Sequence, residues 1–176
     1  MINPAGFSVN TSAIPPLTVS GSQVTLWEDD TNALGSFPSE NNPPTSPVWV
    51  VANDLVQTDQ NLRLDVQWTM SGLMNSMLGG VPPNPNPNAA IYTCTAYFEL
   101  MGTGEASVNF SKTEFHKHPL TPMTPTFYNV PISIPAGSLN PGVYRLVVSI
   151  TTSMTGMIGV PIVGFVDLGL IQVYKS

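Results

Sequence analysis

The stretch Leu62-Arg63-Leu64-Asp65-Val66-Gln67-Trp68-Thr69-Met70 decides the fold class. Every even position is apolar and every odd one polar. Successive side chains of a strand point to opposite faces, so this pattern predicts a strand with one buried face. Leu62, Leu64, Val66 and Trp68 are therefore expected in the core, with Arg63, Asp65 and Gln67 facing solvent or a partner.

Working outward, the same period recurs. Tyr92, Cys94, Ala96, Phe98 and Leu100 share one face, and Ala106, Val108 and Phe110 follow across Gly102-Thr103-Gly104, suggesting a hairpin. Tyr128, Val130, Ile132 and Ile134 form another row; Pro131 inside it predicts an edge strand, because proline cannot donate to a ladder. Tyr144, Leu146, Val148 and Ile150 make the next inward row, and the last strand runs from Gly164 to Tyr174 with a bulge expected at Gly169. Shorter strands are read at Val24–Trp27 and at 48–51. Met70, Leu73, Met74, Met77 and Leu78 fall at helical spacing and suggest one short helix before Gly79-Gly80. Residues 81–88, dense in Pro and Asn, read as a stiff extended linker.

These elements predict an all-β, antiparallel β-sandwich of about eight strands. Residues 1–23, with scattered Phe7, Val9, Ile14, Leu17 and Val19, read as an extended N-terminal arm lying on a surface or as an early edge strand, and 24–176 as a single sandwich domain. Leu139-Asn140-Pro141-Gly142-Val143-Tyr144-Arg145-Leu146-Val147-Val148 resembles the corner before strand F of fibronectin type III and other immunoglobulin-like domains. That resemblance implies a tyrosine hydroxyl bonded back to the corner backbone, and it offers Trp68 as the sandwich tryptophan, one strand earlier than usual. It implies a fold and no activity.

Composition narrows function. The 176 residues include 5 Lys+Arg and 11 Asp+Glu, a net charge of −6, with only 9% charged. Five basic side chains cannot neutralise a phosphate backbone, which excludes nucleic acid as a partner. Met1–Phe7 lacks a basic n-region and a continuous apolar run, which reads against a secretory signal peptide and leaves localisation unknown. The uncharged run between Arg145 and Asp167 is long enough to span a bilayer. Its Ser, Thr, Gly and Pro residues fit two strands and a loop better, so a membrane partner is not expected.

Candidate chemistry is sparse. Glu114, His116 and His118 alternate, the spacing that presents two imidazoles on one strand face, but Lys112 and Lys117 beside them suit a solvated charged edge. Cys94 sits among inward apolar residues, far in sequence from both histidines, and reads as a buried inert thiol rather than a copper ligand. Glu28, Asp29, Asp30, Glu40, Asp54 and Asp59 follow no calcium-loop pattern. No Gly-x-Ser-x-Gly elbow is present. The reading is of a non-enzymatic chain with no catalytic residues, no metal and no cofactor.

Apolar residues in the segments between strands are the most informative feature. In an immunoglobulin-like sandwich the 71–90 and 152–163 loops emerge at the same end. Phe7, Ile14 and Leu17 of the arm and Met74, Met77, Met154, Met157 and Ile158 of the loops are the candidate interaction residues. Methionine adapts to a partner's shape, and clustered exposed apolar groups mark contacts. The expected function is a structural or interaction module that associates with itself, as a homo-oligomer, or with a larger protein assembly. The alternative is a small-molecule, glycan or metal-binding sandwich that displays aromatics such as Trp27, Trp49 and Tyr97.

Overall fold

The computed structural model of the chain describes residues 8–10, 18–29, 49–52, 55–72, 75, 78, 90–102, 106–117, 124–153 and 163–175. Among them ten strands run in chain order: β1 (Ser8–Asn10), β2 (Thr18–Asp29), β3 (Trp49–Val51), β4 (Leu55–Gln57), β5 (Leu62–Ser71), β6 (Ile91–Leu100), β7 (Ser107–Phe115), β8 (Thr126–Ile134), β9 (Gly142–Ser153) and β10 (Val163–Tyr174). They form two sheets. One has the order β3-β2-β5-β8; the other has the order β1-β10-β9-β6-β7, with β4 also pairing β10. All described pairings are antiparallel except β4 with β10. The domain is all-β and forms an open sandwich of immunoglobulin-like character.

The deciding stretch behaves as its pattern requires. In β5, Leu62, Leu64, Val66, Trp68 and Met70 are all at most 3% exposed. They meet Tyr92, Cys94, Ala96 and Phe98 of β6, Tyr128 to Ile134 of β8 and Tyr144 to Ile150 of β9 in one core. Trp68 stacks on Tyr128 at 4.8 Å between ring centroids and meets Tyr92 edge-on at 5.5 Å. Such ring pairs contribute about 0.5–1.5 kcal/mol each beyond the area they bury.

Asp65 departs from expectation. It lies on the outer face, yet it is only 5% exposed, in register between Thr25 and Pro131. Arg63 hydrogen-bonds its Oδ2 at 3.1 Å, and the Arg63 guanidinium also lies over the Trp27 ring. A carboxylate can be withdrawn from water there because a cation on its own strand neutralises it.

Turn chemistry fixes the rest. Tyr144 Oη donates to the Asn140 carbonyl at 2.9 Å, the corner bond that the resemblance implied. A Cβ at Gly142 would stand 2.5 Å from Leu100 Cδ1, the end of a flexible side chain that can move aside. The β10 register shifts between Asp167 and Gly169, and Gly169 takes φ +86°, which realises the expected bulge. Pro131 lies in β8, at the edge of its sheet. In the segment read as a helix, Met70 belongs to β5, whereas Asn75 and Leu78 are helical and buried.

The short strand β4 was not anticipated, whereas β1 falls in the segment read as an extended arm or an early edge strand. After β3 the chain hydrogen-bonds Ala52 N–H to the Leu26 carbonyl, then crosses to the other sheet and runs as β4 beside β10. β1 pairs with β10 through Ser8↔Phe165 and Asn10↔Val163. Of residues 1–23, those from Thr18 onward are part of β2, paired with β5 from Thr18↔Ser71.

Candidate functional site

Phe7, Ile14, Leu17, Met74, Met77, Met154, Met157 and Ile158 lie outside the described residues. The strand ends that flank them are described. The pairs Thr18↔Ser71, Ile91↔Ser153 and Val163↔Thr151 put the start of β2, the end of β5, the start of β6, the end of β9 and the start of β10 at one end of the sandwich. Ile91↔Phe115 and Met70↔Thr126 bring the end of β7 and the start of β8 to that same end.

A buried polar cluster sits there. His116 directly follows β7 and is 1% exposed, which corrects its reading as part of a solvated edge. Its backbone N–H donates to the Ala90 carbonyl at 2.7 Å. Nε2 lies 2.8 Å from the Asn75 carbonyl oxygen; a carbonyl only accepts, so Nε2 carries the proton. Nδ1 is then an acceptor, 2.5 Å from Tyr92 Oη and 3.0 Å from Tyr128 Oη. Tyr128 Oη accepts from the Lys117 N–H at 3.1 Å. Asn75 Nδ2 donates to Thr126 Oγ1 and to the Thr124 carbonyl. Burial pushes both tyrosine hydroxyls far above their ordinary range, so they remain neutral donors.

This cluster ties strands together and leaves both ring nitrogens engaged inside the fold. Among the described residues no three His, Cys, Asp or Glu side chains converge on a point that would hold a metal; His118 lies outside them. Cys94 is buried and unbridged, and burial pushes its thiol up to about 12, first by desolvation and then through Glu114. Glu28 and Asp29 act locally: Glu28 Oε1 accepts from Gln57 N–H, and Asp29 pairs with Asn61 through backbone and side chain. Asp30, Glu40 and Asp54 lie outside the described residues. Trp27 and Tyr97 stand on the outer faces of different sheets, which breaks up the aromatic display considered for a ligand-binding module.

The outer face of the β10-β9-β6-β7 sheet is the surface that the alternation alone did not single out. Its rows read Ser153–Ile91–Phe115, then Val163–Thr151–Thr93–Thr113, then Phe165–Ser149–Thr95–Ser111, then Asp167–Val147–Tyr97–Asn109. Phe165 is 65% exposed, and Val163, Tyr97 and Phe115 are also exposed. Among the described residues of these strands, charge enters this face only at one margin. There Arg145 grips Asp167 at 2.6 Å, facing Glu99 across β6. The Arg145 hydrogen bond holds the Asp167 carboxyl below its ordinary range, assisted by the Gly169 N–H. The signal was present in the sequence as the odd positions of β6 and β9. Their Thr and Ser suit a solvated strand face equally well, so only the strand order shows that they adjoin Phe165 and Phe115.

Among the described residues no helix is long and apolar enough to cross a membrane. No protein-family model and no curated protein sequence matches the chain.

Proposed function

We propose that this protein is a non-enzymatic structural or interaction module that associates with copies of itself or with a larger protein assembly. Its N-terminal arm and apolar loops are the proposed contacts, together with exposed apolar positions of the sandwich. The observation that carries the reading is the set of large apolar side chains left in water on a chain so poor in charge: Phe165, Leu170, Phe127 and Leu55 are each more than half exposed. Apolar surface of this kind is favourably removed from water, at about 25 cal/mol per Å². The shared end of the sandwich supports the loops' part, since it brings the flanks of both apolar loops and the start of β2 together.

Light scattering on the full chain across a concentration series tests the reading. One variant carries Phe7→Asp with Leu17→Asp, and another carries Met74→Glu with Met157→Glu. Loss of higher-mass species in either variant, with the thermal transition retained, is the expected outcome. Identical size distributions for parent and variants would remove the arm and loops from the proposal.

A further inference from the structure

Among the side chains of the buried cluster, only the imidazole of His116 is of a type that changes charge near neutral pH. We infer that His116 is an acid-released latch: its neutral ring holds the stretch from Gly72 to Leu78 on the sandwich, and a proton on Nδ1 lets that stretch go. The stretch carries Met74 and Met77, so its bearing on association rests on the interaction reading above, whereas the latch itself does not.

Asn75 is where the stretch is fastened. Its carbonyl accepts from His116 Nε2 at 2.8 Å, and its Nδ2 donates to Thr126 Oγ1 at 3.1 Å and to the Thr124 carbonyl at 3.3 Å. Behind it, Ala90 N–H donates to the Leu78 carbonyl, and His116 N–H donates to the Ala90 carbonyl. One histidine thus holds the segment twice, by its ring and by its backbone. Asn75 Oδ1 is buried with no partner among the described residues. Docking keeps this acceptor from water and release returns it, so the closed position is opposed by a standing cost.

Hydrogen-bond capacity sets the direction of the switch. With the ring neutral, Nδ1 accepts, and the hydroxyls of Tyr92 and Tyr128 lie 2.5 and 3.0 Å away with one hydrogen each to give. A proton added to Nδ1 turns this acceptor into a donor. Nδ1–H then takes a lone pair of Tyr92 Oη, and Tyr92 turns its hydrogen to Tyr128 Oη, which already accepts from the Lys117 N–H. The hydrogen of Tyr128, a residue 0% exposed, has by then lost Nδ1 as its acceptor. In water the ring takes the same proton without that loss.

The groups facing the ring do not reverse this. β6 brings Tyr92, β8 brings Tyr128 and the 72–78 stretch brings Asn75, all of them uncharged. Its own strand brings two charges of opposite sign. Lys117 Nζ, 5.4 Å from the Tyr128 ring centroid, repels an imidazolium, and partly buried Glu114, whose field reaches Tyr128, attracts one. They offset one another and leave the hydrogen-bond pattern to decide. The released ring binds a proton in the ordinary histidine range, at about 6.5. The released state therefore holds more protons than the docked state. Docking is complete above that range and weakens as the pH falls through it, by up to about tenfold per unit.

Residue-resolved hydrogen exchange on the full chain, corrected for the intrinsic pH dependence of exchange, tests the latch between about pH 7.5 and about pH 5. In the parent, protection of the Asn75 and Ala90 amides should fall by at least about tenfold, while Leu64 and Val148, on the central strands β5 and β9, keep theirs. His116→Gln keeps a donor and an acceptor but does not titrate, and it should show no such fall. Constant protection of Asn75 and Ala90 in the parent, or an equal fall in the variant, overturns the inference. So does a simultaneous fall at Leu64 and Val148, which marks unfolding of the whole sandwich. If His116→Gln does not fold, the His116 ring resonance of the parent decides. It should titrate together with the loss of protection, and titration with both amides still protected overturns the latch.

Discussion

Replacing His116 with alanine tests the buried cluster at the loop end of the sandwich. The imidazole accepts at Nδ1 from Tyr92 and Tyr128 and donates from Nε2 to the Asn75 carbonyl. Its loss strips partners from three groups that lie within fully buried residues. The two hydroxyls can still pair with each other, which rescues one donor and leaves the other stranded, while the Asn75 carbonyl oxygen loses its donor. Two orphaned buried groups at about 1–3 kcal/mol each, plus the void left by the ring, give a destabilisation of about 3–5 kcal/mol. That is a large share of the about 5–15 kcal/mol that holds an ordinary domain. Tyr92→Phe removes one donor and leaves Tyr128 on Nδ1, so it should cost only about 1 kcal/mol. The measurement is urea unfolding, read as a shift in midpoint at constant slope. The double variant should then cost less than the two singles together, because they share one hydrogen bond. A loss below about 1 kcal/mol for His116→Ala would refute the reasoning, since it would mean that water already reaches these groups.

Two further outcomes follow from the core. Tyr144→Phe should lower stability by about 1 kcal/mol in the same urea assay through loss of the bond to Asn140; an unchanged midpoint would withdraw the corner's energetic role. Cys94, buried with its thiol pushed up to about 12, should resist a disulfide reagent at neutral pH in the native protein and react fully once unfolded. Rapid native reaction in a thiol titration would contradict that burial.

Features written into local pattern were legible before any coordinates. The β5 alternation, the Pro131 edge strand, the Gly169 bulge and the Tyr144 corner each depend on residues within a few positions of one another. What stayed hidden depends on distant partners. β4 is three residues long and exists because β10 offers an edge to pair with. His116 sits in a run of charged neighbours and is buried by Tyr92, Tyr128 and Asn75, which come from three other segments. Asp65 is hidden although it occupies an outward position, because Thr25 and Pro131 flank it. The arm and loop residues were recognisable as apolar punctuation between strands, but alternation carries no information about where such segments lie. The uncharged sheet face was readable one strand at a time and became a surface only when the order β10-β9-β6-β7 was known.

β10 is the common partner of β1, β4 and β9, so one strand closes elements from both halves of the sequence. Gln57 and Tyr174, hydrogen-bonded through their side chains at this junction, are 117 positions apart. During synthesis the chain emerges in order, and β1 and β4 must wait without their partner until β10 has been made. Contacts of such separation are reached late and slowly, because the entropy of closing the intervening chain is lost before the pairing returns anything. Until then β9 presents a bare edge of alternating apolar residues, and strand edges of that kind recruit other chains. The same strand that completes the sheet thus sets the interval during which a nascent copy is most exposed to mispairing with its neighbours.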